Sequence, residues 1–260
     1  MLRQNDREVV YYQFESLAAR GVPHGVFTRL GGRSAAPYAS LNVGHTVGDD
    51  HDAVEANHAL VYAALGVEPR RVVTAHQVHG HHVAVVSGLE GGSVVPVTDG
   101  LATAEPGLLL MMRFADCLPV LLYDERRRAV GLAHAGWRGT MADVAGHTVR
   151  AMQAAFGSDP ADLVAALGPG IGPCCYQVGE EVIRAAAAAF PASAGVLRRQ
   201  ADGSTHFDLI GANRWQLRRA GVARCEAAPL CTACDVGEFY SHRAEAGRTG
   251  RFAVLLGLAE

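Results

Sequence analysis

Residues 108–133 read LLLMMRFADCLPVLLYDERRRAVGLA. The stretch holds three apolar runs, Leu108 to Met112, Val120 to Tyr123 and Ala129 to Ala133, separated by short polar breaks. Each run is too short for a helix and almost uninterrupted, which is the pattern of strands buried on both faces. The second break, Asp124-Glu125-Arg126-Arg127-Arg128, reads as a solvated turn between two of them.

Working outward, the same pattern recurs at Val72 to Thr74, Val83 to Val86, Leu163 to Leu167 and Ala253 to Leu258. Helical periodicity instead predicts helices over His51 to Leu65, Thr140 to Phe156 and Glu180 to Ala189, with a shorter one near Leu209 to Ala220. The 30 glycines fall in turns such as Gly31-Gly32, Gly91-Gly92 and Gly168-Pro169-Gly170, so connections should be tight. No composition break or repeat divides the chain. The expectation is one domain over residues 1–260, of α/β class, with a mixed sheet packed between helices.

Composition narrows the chemistry. A net charge of −3 without a run of like charges gives no footprint for nucleic acid or a membrane surface. All 23 basic residues are arginine, which excludes Schiff-base, pyridoxal and Walker-type phosphate chemistry through a lysine. The N-terminus lacks an apolar signal region, and no long apolar stretch follows, so a cytoplasmic protein is expected. Six irregularly spaced cysteines in a chain of this size read as reduced thiols rather than a disulfide framework.

Three places carry metal-ligand chemistry. His76, His79, His81 and His82 follow a strand-like run, Cys117 sits between two such runs, and His134 stands where a strand gives way to a Gly-rich turn. A lone buried cysteine is commonly an inert core residue, and a lone histidine is commonly hydrogen-bonded. Together, one thiolate and two imidazoles at strand ends suit zinc with a fourth position open to water or substrate, the arrangement of a catalytic site. Asp116, beside the cysteine, is placed to orient a ligand or the attacking water. Arg138, four residues after His134, suits an anion such as phosphate. Cys231 and Cys234 have CxxC spacing, but no second CxxC completes a four-cysteine site, so they read as incidental loop thiols.

The segments Gln77-Val78-His79-Gly80, Ala115-Asp116-Cys117-Leu118-Pro119-Val120 and His134-Ala135-Gly136-Trp137-Arg138-Gly139-Thr140 resemble the signature of the laccase-domain purine nucleoside phosphorylase family, earlier labelled multicopper polyphenol oxidase. The resemblance extends through Thr28 to Ser34, Ser40 to Gly44, Thr98 to Leu101, Gly168 to Gly179, and the C-terminal blocks Phe239 to Arg243 and Gly247 to Arg251. It implies a single three-layer α/β/α domain similar to the catalytic fold of cytotoxic necrotizing factor toxins. It also implies zinc on a His-Cys-His triad, which carries over onto His79, Cys117 and His134; the family register is what selects His79 over His76. The implied activities are phosphorolysis of adenosine, inosine, guanosine and methylthioadenosine, and deamination of adenosine. Members are also linked to correcting peptidoglycan precursors. The chain departs from the family at His242 and Ala244, where Tyr and Arg are more usual, which sets that loop's substrate contacts apart.

On this reading the partners are a purine nucleoside and phosphate. Arg138 with Arg29 would meet the phosphate, and Asn42 would hydrogen-bond the ribose or base. Three alternatives stand beside it. A cysteine hydrolase would use Cys117 or Cys175 as nucleophile, although a zinc-bound Cys117 has its thiolate occupied. A copper polyphenol oxidase would need repeated His-x-His pairs that the chain lacks, while copper could still occupy the thiolate–imidazole site in vitro. A non-enzymatic editing factor would give no turnover at any metal loading.

Overall fold

The computed structural model describes residues 1–6 and 8–260. Its strands divide between two large mixed sheets. The first has the order β1 (Leu2–Asp6), β2 (Val9–Gln13), β3 (His24–Phe27), β15 (Phe252–Gly257), β8 (Leu109–Phe114), β4 (Val72–Ala75), β6 (Val94–Val95). The second has the order β14 (Arg224–Ala227), β11 (Val164–Leu167), β9 (Leu118–Asp124), β10 (Ala129–Ala135), β7 (Gly100–Thr103), β5 (Val83–Val85). A small ribbon pairs β12 (Leu197–Arg199) with β13 (Thr205–Phe207). The helices are α1 (Glu15–Ala18), α2 (His51–Ala64), α3 (Trp137–Met141), α4 (Val144–Phe156), α5 (Glu180–Ala189) and α6 (Leu209–Arg219).

Strand alternation explains the layering, because successive side chains point to opposite faces. Leu110, Met112 and Phe114 of β8, Leu121 and Tyr123 of β9, Val130 and Leu132 of β10, and Phe252, Val254 and Leu256 of β15 share one core between the two sheets. The intervening residues pack outward. Leu109 and Met111 join Val61 of α2, whereas Val120 and Leu122 join Val149 and Met152 of α4 and Leu217 of α6. The expected mixed α/β fold between helices is therefore present with its β layer doubled, which is why β8, β9, β10 and β15 read as continuous apolar runs.

The Arg126–Arg128 turn is exposed, with Asp124 Oδ1 accepting the Arg126 and Arg127 amides at 2.9 and 3.0 Å. The helix expected from Thr140 to Phe156 is instead interrupted at Asp143, whose φ of 61° breaks it into α3 and α4. That aspartate gains ion pairs from Arg150 and Arg219. Among the described residues no helix is long and apolar enough to cross a membrane.

Candidate metal centre

Two crossovers between the sheets build the site. β4 and β8 are parallel neighbours, so the chain leaves both at the same end of the first sheet. From β4 the loop carrying His79 crosses to β5 of the second sheet, and from β8 the link Ala115–Cys117 crosses to β9. His134 is on β10, opposite Pro119 of β9. Donor atoms of His79, Cys117 and His134 thus lie within 4.8 Å of one another. The two imidazoles meet edge to face at 5.0 Å between centroids.

Asp99 organises this cluster. Fully buried, it accepts the His79 amide at 2.9 Å and the Val78 and Gly80 amides at 3.1 and 2.7 Å. Its Oδ1 also pairs with Nδ1 of His134 at 2.9 Å. A carboxylate on Nδ1 keeps the proton there and leaves Nε2 as the coordinating lone pair. Burial alone would lower the His134 pKa, but the Cys117 charge and the Asp99 bond outweigh it and raise it. Burial would likewise raise the Cys117 thiol, and the imidazoles of His134 and His79 bring it down instead, toward the thiolate that metals bind.

Gly136 completes the fit. A Cβ at this position would stand 2.8 Å from the Cys117 sulfur and 3.2 Å from Cδ2 of His79, so only glycine leaves room for the donors. One thiolate and two imidazoles, oriented by a buried carboxylate and cleared of side-chain obstruction, are a donor set suited to one borderline-soft cation.

The three donors line a cavity of ≈ 860 Å³, within the size range of small-molecule sites. Its wall carries four arginines, Arg113, Arg138, Arg243 and Arg251. Of the sequence-predicted residues, Arg138 and Asp116 also line it. Arg138 stacks on Trp137 at 4.3 Å and has only a loose 3.7 Å partner, Glu181, so most of its donors are free. Asp116 is engaged: Oδ1 accepts Thr232 and Ser241 hydroxyls at 2.7 Å each, and Oδ2 accepts the Arg243 amide at 2.7 Å. Its carboxylate anchors two loops, leaving little capacity to hold a water.

Three other expectations are corrected. Arg29 lies away from the cavity lining, bonded to Glu245 at 2.9 Å and to the Val236 and Ala39 carbonyls, with its guanidinium 4.4 Å over Tyr240. Asn42 is fully buried and bonded to Gly44, Asp49 and the Arg251 amide, so it positions the wall instead of facing a ligand. Cys175 is outside the cavity and has thiols rather than an imidazole beside it. Its pKa is raised by burial, the opposite of an activated nucleophile. Cys231 and Cys234, read from the sequence as loop thiols with no second CxxC to join, have their sulfurs within 4.8 Å of those of Cys174 and Cys175. Asp99, Gly136, Arg243 and Arg251 fall inside the blocks that carry the family resemblance but were given no role there, and Arg113 and the cavity-lining His45 fall outside those blocks. His242, one of the departures from the family pattern, also lines the cavity.

Residues 23–259 match the family model described as multi-copper polyphenol oxidoreductase laccase. The purine nucleoside phosphorylase YlmD of Geobacillus stearothermophilus is 39% identical over 250 residues, covering 92% of this chain and 91% of the relative. The purine nucleoside phosphorylase SCO2081 of Streptomyces coelicolor is 42% identical over 233 residues, covering 90% and 94%. The crystal structure of YlmD from Geobacillus stearothermophilus superposes with a TM-score of 0.93 at 37% identity, covering 99% of this chain and 98% of that one.

Proposed function

The chain belongs to the multi-copper polyphenol oxidoreductase laccase family, and from that premise we propose that it is a zinc-dependent purine nucleoside phosphorylase whose metal is held by His79, Cys117 and His134. The observation that carries this reading is the convergence of those three donors in an arginine-walled cavity of small-molecule size. Its substrates are adenosine, inosine, guanosine and methylthioadenosine, each with phosphate. The name purine nucleoside phosphorylase on relatives about 40% identical supports the reaction class. Against copper oxidation stands the donor set, because neither metal-capable cluster among the described residues offers the several imidazoles of a trinuclear copper centre.

A zinc ion in this site supplies positive charge and Lewis acidity next to the bound substrate. The chain's own residues do the rest. Asp99 fixes the His134 tautomer and the backbone around His79. Arg138, whose one ion pair is the loose 3.7 Å contact to Glu181, is the residue to bind the phosphate, and Arg113, Arg243 and Arg251 add positive charge to the same cavity wall.

Adenosine deamination is a second reading, favoured by His45. This imidazole lines the cavity and bonds Glu55 at 2.6 Å, a pair suited to moving a proton. Chromatography of zinc-loaded protein with adenosine separates the two: adenine that appears only with phosphate reports phosphorolysis, and inosine formed without phosphate reports deamination. Absence of both products from metallated protein would overturn the nucleoside reading in favour of an editing role on peptidoglycan precursors.

A further inference from the structure

Four thiols outside this site meet at one point. β11 and β14 are adjacent and parallel, with Leu167 opposite Ala227, so the loops that follow them leave at the same end of the second sheet. One loop runs through Gly172 to Cys174 and Cys175, the other through Cys231 to Cys234. A bridge between Gly170 and Cys231 and a bond from the Thr232 amide to the Gly170 carbonyl at 3.1 Å hold them together. Tight turns then curl each pair inward. The Cys175 amide bonds the Gly172 carbonyl at 3.0 Å, and the Cys234 amide bonds the Cys231 carbonyl at 3.1 Å.

All four sulfurs lie within 4.8 Å of one another. Cys234 Sγ is 3.3 Å from Cys175 Sγ and 3.5 Å from Cys174 Sγ, so no one pair is singled out for a bond and the sulfurs converge on a common centre. Zinc–thiolate bonds of about 2.3 Å in a tetrahedron place sulfurs roughly 3.8 Å apart, a few tenths of an ångström beyond the two separations from Cys234 and inside the 4.8 Å that contains all four. The backbone around the thiols forms a cradle. Cys231 Sγ accepts the Gly172 amide at 3.1 Å, the kind of outer bond that supports a ligating thiolate. A Cβ on Gly172 would stand 3.2 Å from both Cys174 Sγ and the Cys231 Cβ, so the backbone comes close because that residue has no side chain.

We propose that Cys174, Cys175, Cys231 and Cys234 form a second metal site, a closed tetrathiolate centre for zinc that staples the two loops. With every position taken by protein the site is structural. Loading deprotonates the thiols, and the protons leave to solvent with no change of oxidation state. The staple bears on the cavity, because Ile171 and Tyr176 of one loop line it and Thr232 of the other holds Asp116. The inference is independent of the activity proposed above.

The test is metal stoichiometry on the reduced full-length chain, titrated with zinc and with cobalt(II). Wild type should take two equivalents. C117A should keep one, with about four-fifths of the near-ultraviolet thiolate-to-cobalt absorption, and C231S/C234S should keep one with about one-fifth, since four of the five thiolates involved belong to the second centre. If the double variant fails to fold, C117A decides alone. One equivalent retained in C117A with tetrathiolate absorption supports the site even if the first centre binds nothing. A C117A chain that binds no metal overturns it, and so does a disulfide joining the two loops in freshly purified, zinc-treated wild type.

Discussion

The two clusters are products of one architectural device with opposite outcomes. In each, a parallel strand pair delivers two following segments to the same end of a sheet, β4 with β8 for His79 and Cys117, β11 with β14 for the four thiols. The first cluster gathers three donors beside a cavity and has a buried carboxylate orienting one of them. The second gathers four donors in surface loops, with backbone in place of a carboxylate behind them. Donor count and outer partners, rather than topology, therefore separate an open site from a closed one.

The comparison breaks most sharply at Cys117. C117A should lose the first metal equivalent and lower kcat/KM for adenosine phosphorolysis by more than about 100-fold, beyond the range for losing an outer partner; unchanged turnover would place the chemistry elsewhere. Asp99→Asn tests the orienting carboxylate itself. The amide cannot accept from both the loop 78–80 amides and His134 as the carboxylate does, so metal affinity should fall by about 10- to 100-fold, measured by competition with a chelator.

Arg138→Ala sharpens the contrast from the cavity side. It should raise the KM for phosphate by about tenfold, the scale of one charge-assisted hydrogen bond, with the KM for nucleoside little changed. C231S/C234S should act least on catalysis, raising the nucleoside KM by about three- to fivefold, equivalent to roughly 1 kcal/mol. The same variant should melt several degrees lower, because a structural metal adds its binding free energy to folding. A hundredfold loss of kcat in this variant would put the second cluster in the chemistry and erase the distinction drawn here.

Much of the scaffold was legible because burial on both faces imposes a local signal. β8, β9, β10, β11 and β15 all fall where continuous apolar runs predict strands, and α5 spans Glu180–Ala189 as its periodicity predicts. The edge strands β1, β12 and β14 and the two-residue β6 were not legible, since half-exposed strands carry mixed polarity. In the site, Cys117 and His134 stood out as unusual residue types at strand ends, and Arg138 as a cation in the turn and helix that follow. Arg29 and Asn42 did not fall where expected, because a polar residue inside a loop looks the same whether it faces a ligand or holds the backbone.

The sequence by itself determined the residue types and the continuous apolar runs that mark strands buried on both faces; their division into two sheets was decided by the tertiary structure. It also limited the chemistry through the absence of lysine and the presence of thiols and imidazoles. Only the tertiary structure decided which of these meet. Asp99 draws its partners from 19 to 35 residues away, and Cys234 lies 59 residues from Cys175. Such pairings depend on which strands lie side by side and in which direction, a property of the closed core that no local stretch of chain encodes.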